Sequence, residues 1–248
     1  MRKTVSSGRV PRLFVDEEIR DGAAIGLGPD AARYLGTVMR LKVGDAALIF
    51  DDRTGEWRAA VTALAKRSVT LMPEERVRER EAVPDVVLAC APIRKARQEM
   101  VAEKACELGA RALVPVLTER TAQAPVKAER LSAIMIEAAE QCERTALPVL
   151  AQAVSFADFL GGFPEGRALV FCDEEGGAAM AEAVPAGPAT ILIGPEGGFS
   201  DAERRALLAH PAAARVSLGP RILRADTAAI AALTLWQSAF GDWQKDHG

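Results

Sequence analysis

The chain has 248 residues, of which 49% are hydrophobic and 26% are charged, a balance typical of a globular protein large enough to bury a sizeable core. Its formal net charge of −3 excludes a protein that is basic over its whole surface, and no apolar run approaches the roughly 18 residues needed to cross a bilayer. The basic start, residues 1–8, has no apolar stretch behind it and is not typical of a secretory signal, so we expect a cytosolic protein.

Cysteine and histidine usage argues against metal and thiol chemistry. The cysteines Cys90, Cys106, Cys142 and Cys172 form no C-x-x-C pair, and each lies in an apolar or helical stretch, which predicts buried thiols. Only two histidines are present, too few for a typical His/Cys metal site and poorly placed for a Ser-His-Asp triad. We therefore predict chemistry carried by Arg, Asp, Glu and backbone groups, with no metal.

Residues 1–73 are predicted to form a small β-barrel. Short strands at 12–15, 46–50, 57–64 and 68–72 are separated by Gly and Asp turns, which is the pattern of such a barrel, and one short helix is expected at 31–39. Residues 1–80 hold 15 Lys and Arg against 12 Asp and Glu, whereas the rest of the chain holds 16 against 22. This asymmetry indicates either an anion-binding N-terminal part or ordinary surface variation.

The charged segment 74–84 ends in proline and has little apolar surface to bury, so it is predicted to be a linker. From residue 85 onward, short apolar runs alternate with helical stretches. Strands are expected at 86–90, 112–117, 168–172, 190–193 and 215–218, and helices at 97–108, 130–143, 200–209 and 227–240. This alternation predicts an α/β domain over 85–248, built on a parallel sheet that is covered on both faces.

A glycine-rich turn, G-P-E-G-G (194–198), follows the strand at 190–193. Glycine permits a close approach of backbone to ligand, and ligands of parallel sheets bind beyond the carboxyl ends of the strands. Ser200 with Glu203 forms an S-x-x-E capping box, which predicts a helix start. The turn therefore indicates either a cofactor pocket made of backbone or a tight strand-to-helix connection. No lysine follows, so it is not a phosphate loop.

A second strand end carries L-G-P-R-I-L-R-A-D-T (218–227). Asp226 could simply cap the next helix and Arg224 could be solvated, but two neighbouring strand ends with glycine turns favour a binding site. A third strand end, 171–174, carries acids that are more often solvated. Glu137, Glu140, Gln141 and Arg144 share one helix face by their spacing, and such a polar face is most often exposed to solvent.

These motifs resemble the ribosomal RNA small-subunit methyltransferase E family. The matching segments, in the family's order and spacing, are I-G-P-E-G-G-F-S (193–200), L-G-P-R-I-L-R-A-D-T-A (218–228), E-A-A-E-Q-C-E-R (137–144), E-K-A-C-E-L-G (103–109), R-V-P-R-L-F (9–14) and V-M-R-L-K-V-G-D (38–45). The resemblance implies a C-terminal SPOUT-type α/β domain with a trefoil knot, a rare topology, and an N-terminal PUA-like β-barrel. It also implies a homodimer that transfers a methyl group from S-adenosylmethionine to N3 of a uridine in 16S ribosomal RNA, in the small subunit's decoding region.

The resemblance also implies roles for particular residues. Asp226 would be the general base that takes the N3 proton, and Arg224 would stabilise the charge that develops on the uracil. The residues expected to bind the cofactor are Phe171, Leu192, Ile193, Gly194, Pro195, Gly197, Gly198, Leu218, Gly219, Pro220, Ile222 and Leu223. The residues expected to contact RNA, mainly through its phosphates, are Arg9, Arg12, Arg40, Lys42, Glu140, Gln141 and Arg144.

Two positions depart from the family pattern, and three alternatives stay open. The family usually has Thr-Glu where this chain has Ala225-Asp226, and Gly where it has Glu143. The alternatives are a SPOUT enzyme acting on another RNA or on a ribose 2′-OH, an RNA-binding protein that holds the cofactor without catalysis, and a dinucleotide-binding oxidoreductase. The last would need G-x-G-x-x-G after the strand at 86–90, where A-P-I-R-K (91–95) offers no glycine.

Overall fold

The structure, a computed structural model, describes residues 10–121 and 126–244. The chain divides into two compact units. The N-terminal unit contains the residues up to Ala82 together with Glu140–Ala146, and the C-terminal unit contains Val83–Ala139 and the residues from Leu147 onward. Within the described ranges, no helix combines the length and the apolar character needed to traverse a lipid bilayer.

The N-terminal unit is built on one mixed five-stranded sheet. Its elements are β1 (Arg12–Phe14), β2 (Ile25–Leu27), α1 (Pro29–Arg33), a π-helical turn (Tyr34–Val38), β3 (Ala46–Phe50), β4 (Glu56–Ala65) and β5 (Ser68–Arg78). The strand order is β1-β3-β4-β5-β2, with β1 parallel to β3 and the other pairs antiparallel. The predicted strands are all present. The strand β2 was not predicted, because three residues are too few to show an alternating pattern.

The strand β5 continues into the charged segment that was predicted to be a linker. Its register pairs Trp57 with Arg76 and Glu56 with Arg78, and its side chains from residue 74 onward are exposed. Backbone hydrogen bonds to β4 hold this part of the chain extended, so its charged side chains need no core of their own. Only residues 79–84 of the segment lie outside regular structure.

The carboxylate of Asp51, just after β3, organises the turn between β3 and β4. Asp51 is 1% exposed, and its oxygens accept hydrogen bonds from the N–H groups of Ile19, Arg53 and Thr54 at 2.8, 2.9 and 2.7 Å, and from the Thr54 hydroxyl at 2.9 Å. Burial by itself would raise the pKa of Asp51, but these hydrogen bonds outweigh it and hold the pKa below its ordinary value. The charged form is therefore the one that the fold requires.

The C-terminal unit is an α/β structure. Its elements are β6 (Val86–Cys90), α2 (Lys95–Glu107), β7 (Ala112–Leu117), α3 (Ala128–Cys142, of which the residues up to 139 belong to this unit), β8 (Val149–Leu150), β9 (Val154–Ser155), α4 (Phe156–Gly161), β10 (Ala168–Cys172), α5 (Met180–Ala183), β11 (Ala189–Ile193), α6 (Asp201–Ala209), β12 (Ala213–Val216), α7 (Ala225–Phe240) and a 3₁₀ turn (Asp242–Gln244). The short elements β8, β9, α4 and α5 were not predicted, because so few residues carry no periodicity.

The predicted parallel sheet is confirmed. Its order is β12-β10-β11-β6-β7-β8, with β9 beside β7, and every pair of strands is parallel. All five residues of β11 are buried, as expected for a strand covered on both faces. Because β10 lies between β11 and β12, the carboxyl ends of these three strands meet at one edge of the sheet. That edge is where a ligand of a parallel sheet is expected.

The prediction that all four cysteines are buried is wrong for Cys142. Cys106 is buried, Cys90 and Cys172 are partly buried, and Cys142 is exposed. The helix α3 ends at Cys142, one turn after the buried Ala138, so the apolar face loses its cover there. Burial raises the pKa of the Cys90 and Cys172 thiols to about 12, which keeps both protonated and poorly nucleophilic at neutral pH.

Replacing Asp51 by Asn should destabilise the N-terminal unit by about 1.5–3 kcal/mol at pH 7, because an NH₂ group then faces N–H donors where an oxygen accepted them. The folded-state pKa is lowered, so the carboxylate stabilises the fold above its unfolded pKa and loses this effect as the pH falls through the folded-state value. The difference from wild type should therefore shrink as the pH approaches 3.

Denaturant unfolding between pH 3 and pH 7 measures this difference, with Asp16→Asn as the control because Asp16 is exposed. A destabilisation that stayed constant across this pH range would contradict the role assigned to the charged carboxylate.

Candidate functional site

One cavity opens at the carboxyl ends of β10, β11 and β12. It has a volume of about 260 Å³, near the lower end of the range for small-molecule sites. Three segments line it: the end of β10 with the turn after it, the loop after β11, and the loop that joins β12 to α7. The lining residues are Cys172–Glu174, Ile193–Phe199, Leu218, Gly219, Arg221–Leu223, Ala225 and Ala228. All three strand ends that the sequence singled out therefore meet in the C-terminal unit.

Two glycines of the loop after β11 sit where a side chain would not fit. Gly198 has φ +68°, and a Cβ there would lie 2.9 Å from Oε1 of Glu174. A Cβ at Gly194 would lie 2.9 Å from the ring of Phe199. At Gly194 the backbone therefore packs closer to Phe199 than a residue with a side chain would allow. At Gly198 the constraint is the left-handed φ, because the exposed end of the Glu174 side chain can move aside.

The predicted capping box at the end of the same loop is confirmed. The N–H of Ser200 donates to Oε2 of Glu203 at 2.9 Å, and the N–H of Glu203 donates to Oγ of Ser200 at 3.3 Å. This reciprocal pair satisfies two donors at the start of α6. It fixes the end of the loop, and so holds Phe199 against the cavity.

Nine of the twelve residues expected to bind the cofactor line the cavity, and Phe171, Leu192 and Pro220 are not among the described lining. Phe171 and Leu192 are fully buried behind it. The ring of Phe171 packs edge-to-face against Phe199, with 5.5 Å between the ring centroids, and Phe199 faces the cavity. The two residues therefore support the wall from the core side.

Acidic groups outnumber basic ones on the cavity lining. Asp173, Glu174 and Glu196 carry carboxylates, and Arg221 carries the one guanidinium among the described lining residues. Asp173 is committed to Arg204 and Arg215, at 2.8 and 2.6 Å. Glu174 and Glu196 are exposed, so their carboxylates are accessible to a bound ligand. The cavity thus favours a ligand that carries positive charge.

Asp173 holds the strand-end turn of β10 in place as an anion. Its side chain is fully buried. Burial alone would raise the pKa of Asp173, but hydrogen bonds from Arg204, from the N–H of Glu175 and from Arg215 outweigh it, so the pKa lies below its ordinary value. An acid after a strand is usually solvated, so this role of Asp173 could hardly be predicted from the sequence.

The two residues expected to carry catalysis lie at the start of α7. Arg224 is the residue before the helix, and its side chain is exposed. Its neighbours on both sides, Leu223 and Ala225, line the cavity, so Arg224 lies at the rim. Asp226 is buried, and Nη1 of Arg97 on α2 donates to both of its oxygens, at 2.7 and 2.9 Å. Sequence reasoning missed Arg97, because no local pattern links residues that lie so far apart in the chain.

Two arginines expected to contact RNA are buried inside the N-terminal unit. Arg12 forms an ion pair with Glu56, its guanidinium carbon lies 3.8 Å from the centre of the Phe50 ring, and its Nη2 donates to the carbonyl oxygen of Arg144 at 2.7 Å. Arg144 is 6% exposed and lies 3.5 Å from Glu81. Both side chains therefore hold the unit together and offer little surface to a phosphate.

The other residues expected to contact RNA differ in their surroundings. Arg40, Lys42 and Gln141 are exposed, whereas Oε1 of Glu140 accepts a hydrogen bond from the N–H of Phe14 at 2.9 Å. Arg9 lies outside the described residues.

The position where the family pattern has Gly is left-handed in this chain. Glu143 has φ +63°, a conformation that glycine adopts without cost and that other residues seldom adopt. The backbone of Glu143 therefore adopts the conformation that a glycine would favour at this position, although the residue differs from the family pattern.

Among residues 10–121 and 126–244, no three His, Cys, Asp or Glu side chains are grouped so that they could hold a metal ion. The cavity offers carboxylates, one guanidinium, apolar side chains and backbone groups. Such a lining can bind an organic ligand with an apolar face and a charged end.

Family models match both units. A model described as an RNA methyltransferase domain matches residues 79–237, and one described as an RNA methyltransferase PUA domain matches residues 27–73. Among curated relatives, the ribosomal RNA small subunit methyltransferase E of Synechocystis sp. is 37% identical over 90% of this chain and 75% of its own length. The protein of the same name from Rickettsia conorii is 28% identical over 90% of this chain and 93% of its own.

Two solved structures share the fold over nearly the whole chain. A methyltransferase from Legionella pneumophila in complex with bound SAM is 31% identical, with a TM-score of 0.83, over 94% of this chain and 99% of its own. A ribosomal RNA small subunit methyltransferase E from Neisseria gonorrhoeae bound to S-adenosyl methionine is 25% identical, with a TM-score of 0.84, over 95% of this chain and 100% of its own.

The loop after β11 allows a matched pair of substitutions. Gly198→Ala should cost about 1–2 kcal/mol of stability or more, because its φ disfavours a side chain and its Cβ would approach Glu174. Gly197→Ala should cost less than about 1 kcal/mol, because the nearest atom to its Cβ is 3.5 Å away, on Arg120. Denaturant unfolding of both variants measures the two losses of stability. Equal unfolding midpoints would show that the backbone of the loop is not constrained at Gly198.

Proposed function

Because this chain belongs to the ribosomal RNA small subunit methyltransferase E family, we propose that it transfers a methyl group from S-adenosylmethionine to N3 of a uridine in 16S ribosomal RNA, uridine 1498. The family, the SPOUT and PUA folds, the cofactor and RNA methylation follow from matches that span both units. The nucleotide and the atom are the proposal. The observation that carries it is the cavity at three strand ends with Arg224 at its rim.

The lining of the cavity suits S-adenosylmethionine by its backbone groups and by its charges. Gly194, Gly197 and Gly198 line the cavity without side chains, which suits a ligand held by backbone groups. Ile193, Leu218 and Leu223 offer apolar surface for an adenine ring. The carboxylates of Glu174 and Glu196 complement the positive sulfonium and ammonium groups, and Arg221 complements the single carboxylate of the methionine part.

The residues at the start of α7 suit methyl transfer to uracil N3. When bound, S-adenosylmethionine supplies a methyl group on a positively charged sulfur. N3 is a poor nucleophile while it holds its proton, and Asp226 is the proposed carboxylate that accepts it. Both oxygens of Asp226 accept hydrogen bonds from Arg97 in this structure, so this role requires one of them to turn toward the base. Arg224, exposed at the rim, would stabilise the negative charge that then develops on the base. Alignment of N3 with the methyl group would supply much of the remaining rate enhancement.

The proposed RNA-binding surface of the N-terminal unit centres on Arg40 and Lys42. Both are exposed and lie in the turn between the π-helical segment and β3. In the same turn, the N–H of Gly44 donates to the carbonyl oxygen of Val61 at 2.8 Å, which ties the turn to β4. Phosphate contacts from such a surface would position the RNA without reading its sequence. Arg12 and Arg144, which were expected to contact RNA, are not part of this proposed surface, because both side chains are buried.

The assembly and the compartment are parts of the same proposal. We propose a homodimer, for which the exposed apolar side chains of Leu235 and Trp243, 42% and 47% exposed, provide candidate surface near the C-terminus. The trefoil knot of the family is expected in the C-terminal unit. Because its proposed substrate is ribosomal RNA, we propose that the protein acts in the cytoplasm.

The same cavity could serve methylation of another RNA or of a ribose 2′-OH. The extent of the match argues for the proposed substrate, because relatives named for the small ribosomal subunit align over 90% of this chain. A protein that binds the cofactor without catalysis is the other alternative, and it depends on whether Asp226 can replace the Glu of the family.

Mass mapping of methylated nucleotides in 16S ribosomal RNA tests the proposal. Cells that lack the protein should lose one N3-methyluridine, and the wild-type gene should restore it. The Arg224→Ala variant should restore less than about 1% of the wild-type rate, because loss of one such charge-stabilising group typically costs 10²–10³-fold.

Calorimetry should show that Arg224→Ala binds S-adenosylmethionine within about threefold of wild type, because Arg224 is not among the described lining residues of the cavity. Arg205→Ala, an exposed arginine on α6, is the control and should remain active. An unchanged methylation map in cells without the protein would overturn the proposed substrate, and full activity of Arg224→Ala would remove Arg224 from the mechanism.

Replacing Arg40 and Lys42 together by Ala should weaken RNA binding and reduce its dependence on salt. Each lost phosphate contact should lower the slope of log K against log salt by about 0.7–0.9. Titrations at several salt concentrations measure the slope, with Arg33→Ala, an exposed arginine on α1, as control. A slope equal to that of wild type would place the RNA on another surface.

A further inference from the structure

We infer that Arg97 is a positioning residue for the methyl transfer: its ion pair with Asp226 holds the first turn of α7, and through that turn it sets the position of Arg224. The inference rests on the proposed function, in which Arg224 acts at the rim of the cavity. Arg97 itself lies on α2 and is not among the described residues that line the cavity, so its effect on the reaction must pass through Asp226.

The start of α7 lacks a side-chain cap. Residue Arg224, which precedes the helix, makes no capping hydrogen bond through its side chain. The preceding residues, 217–224, have no regular secondary structure, and Ile222 is 88% exposed. Since helix starts without a cap leave backbone donors unsatisfied, this turn depends on its tertiary contacts for a fixed position.

The ion pair supplies such a contact. Nη1 of Arg97 lies 2.7 and 2.9 Å from the two oxygens of Asp226, and the Asp226 side chain is 9% exposed. A charge-assisted hydrogen bond at this distance is among the stronger polar contacts in proteins. Breaking the ion pair would leave a nearly buried carboxylate without its partner. An unpaired buried charge of this kind strongly destabilises the folded state. The first turn of α7 would then shift or loosen.

That same turn carries both the cavity wall and the rim. Ala225 and Ala228 line the cavity, and the N–H of Ala228 donates to the carbonyl oxygen of Arg224 at 2.8 Å. The backbone of Arg224 is therefore part of the turn that Asp226 anchors. A displacement of about 1 Å at a reacting group can cost about 10²-fold in rate, so anchorage of this turn bears on the reaction as well as on stability.

The test compares Arg97→Ala with Arg97→Lys and with Lys95→Ala. Lys95 lies on the same helix and is exposed, and its nitrogen is 3.9 Å from Glu99. Arg97→Ala should lower kcat about 10- to 100-fold while the Kd for S-adenosylmethionine changes less than about fivefold, because most of the wall comes from other segments. Arg97→Lys keeps the charge and should recover at least a third of the lost activity on a logarithmic scale, and Lys95→Ala should match wild type.

Hydrogen exchange of residues 218–230 in the protein without RNA provides a second readout that needs no activity. Exchange there should rise in Arg97→Ala and in Asp226→Asn, and the double variant should exchange no faster than the faster single variant, because one contact is lost in each case. Lys95→Ala should leave it unchanged.

The outcomes separate the inference from the proposed function. A wild-type kcat in Arg97→Ala, or unchanged exchange at residues 218–230, would overturn the inference and leave the proposed function intact. A wild-type protein that methylates no uridine would overturn the proposed function, while the exchange data would still show whether Arg97 anchors the turn.

Discussion

The site depends on one constraint, the parallel register of β10, β11 and β12. Parallel strands present their carboxyl ends at the same edge, and β10 pairs with both of the others. Segments that are distant in the chain therefore meet: the acids after β10, the glycine loop after β11 and the arginine-bearing loop after β12. The β11 strand lies between β10 and β6 and pairs in parallel with both, so its backbone hydrogen bonds hold this register.

The sequence predicted the elements that are long or strongly patterned. The alternation of apolar runs and helices predicted the parallel sheet, and Ser200 with Glu203 predicted the start of α6. Glycines at two successive strand ends indicated a binding site at the place where the structure has a cavity, because glycine serves where backbone must come close to other groups. The elements that were missed, such as β2, β8 and β9, have two or three residues each and show no period.

Contacts between side chains on different elements could not be predicted from the sequence. Arg12 and Arg40 look alike as basic residues in an N-terminal segment, yet Arg12 is buried against Glu56 and Phe50 while Arg40 is exposed. Arg97 and Asp226 lie on different helices, and nothing local to either predicts that they meet. A charged residue shows its role only when its partner is known, and partners come from the packing of elements.

We propose that the loops after β11 and β12 form one pocket that holds the methyl donor beside Arg224. A crystal structure of the protein with S-adenosylmethionine tests this most directly. We expect the adenosyl group to lie against the backbone of Gly194–Gly198, with the methyl group facing the rim where Arg224 lies. A donor bound at any other place, or two loops too far apart to contact the same molecule, would contradict it.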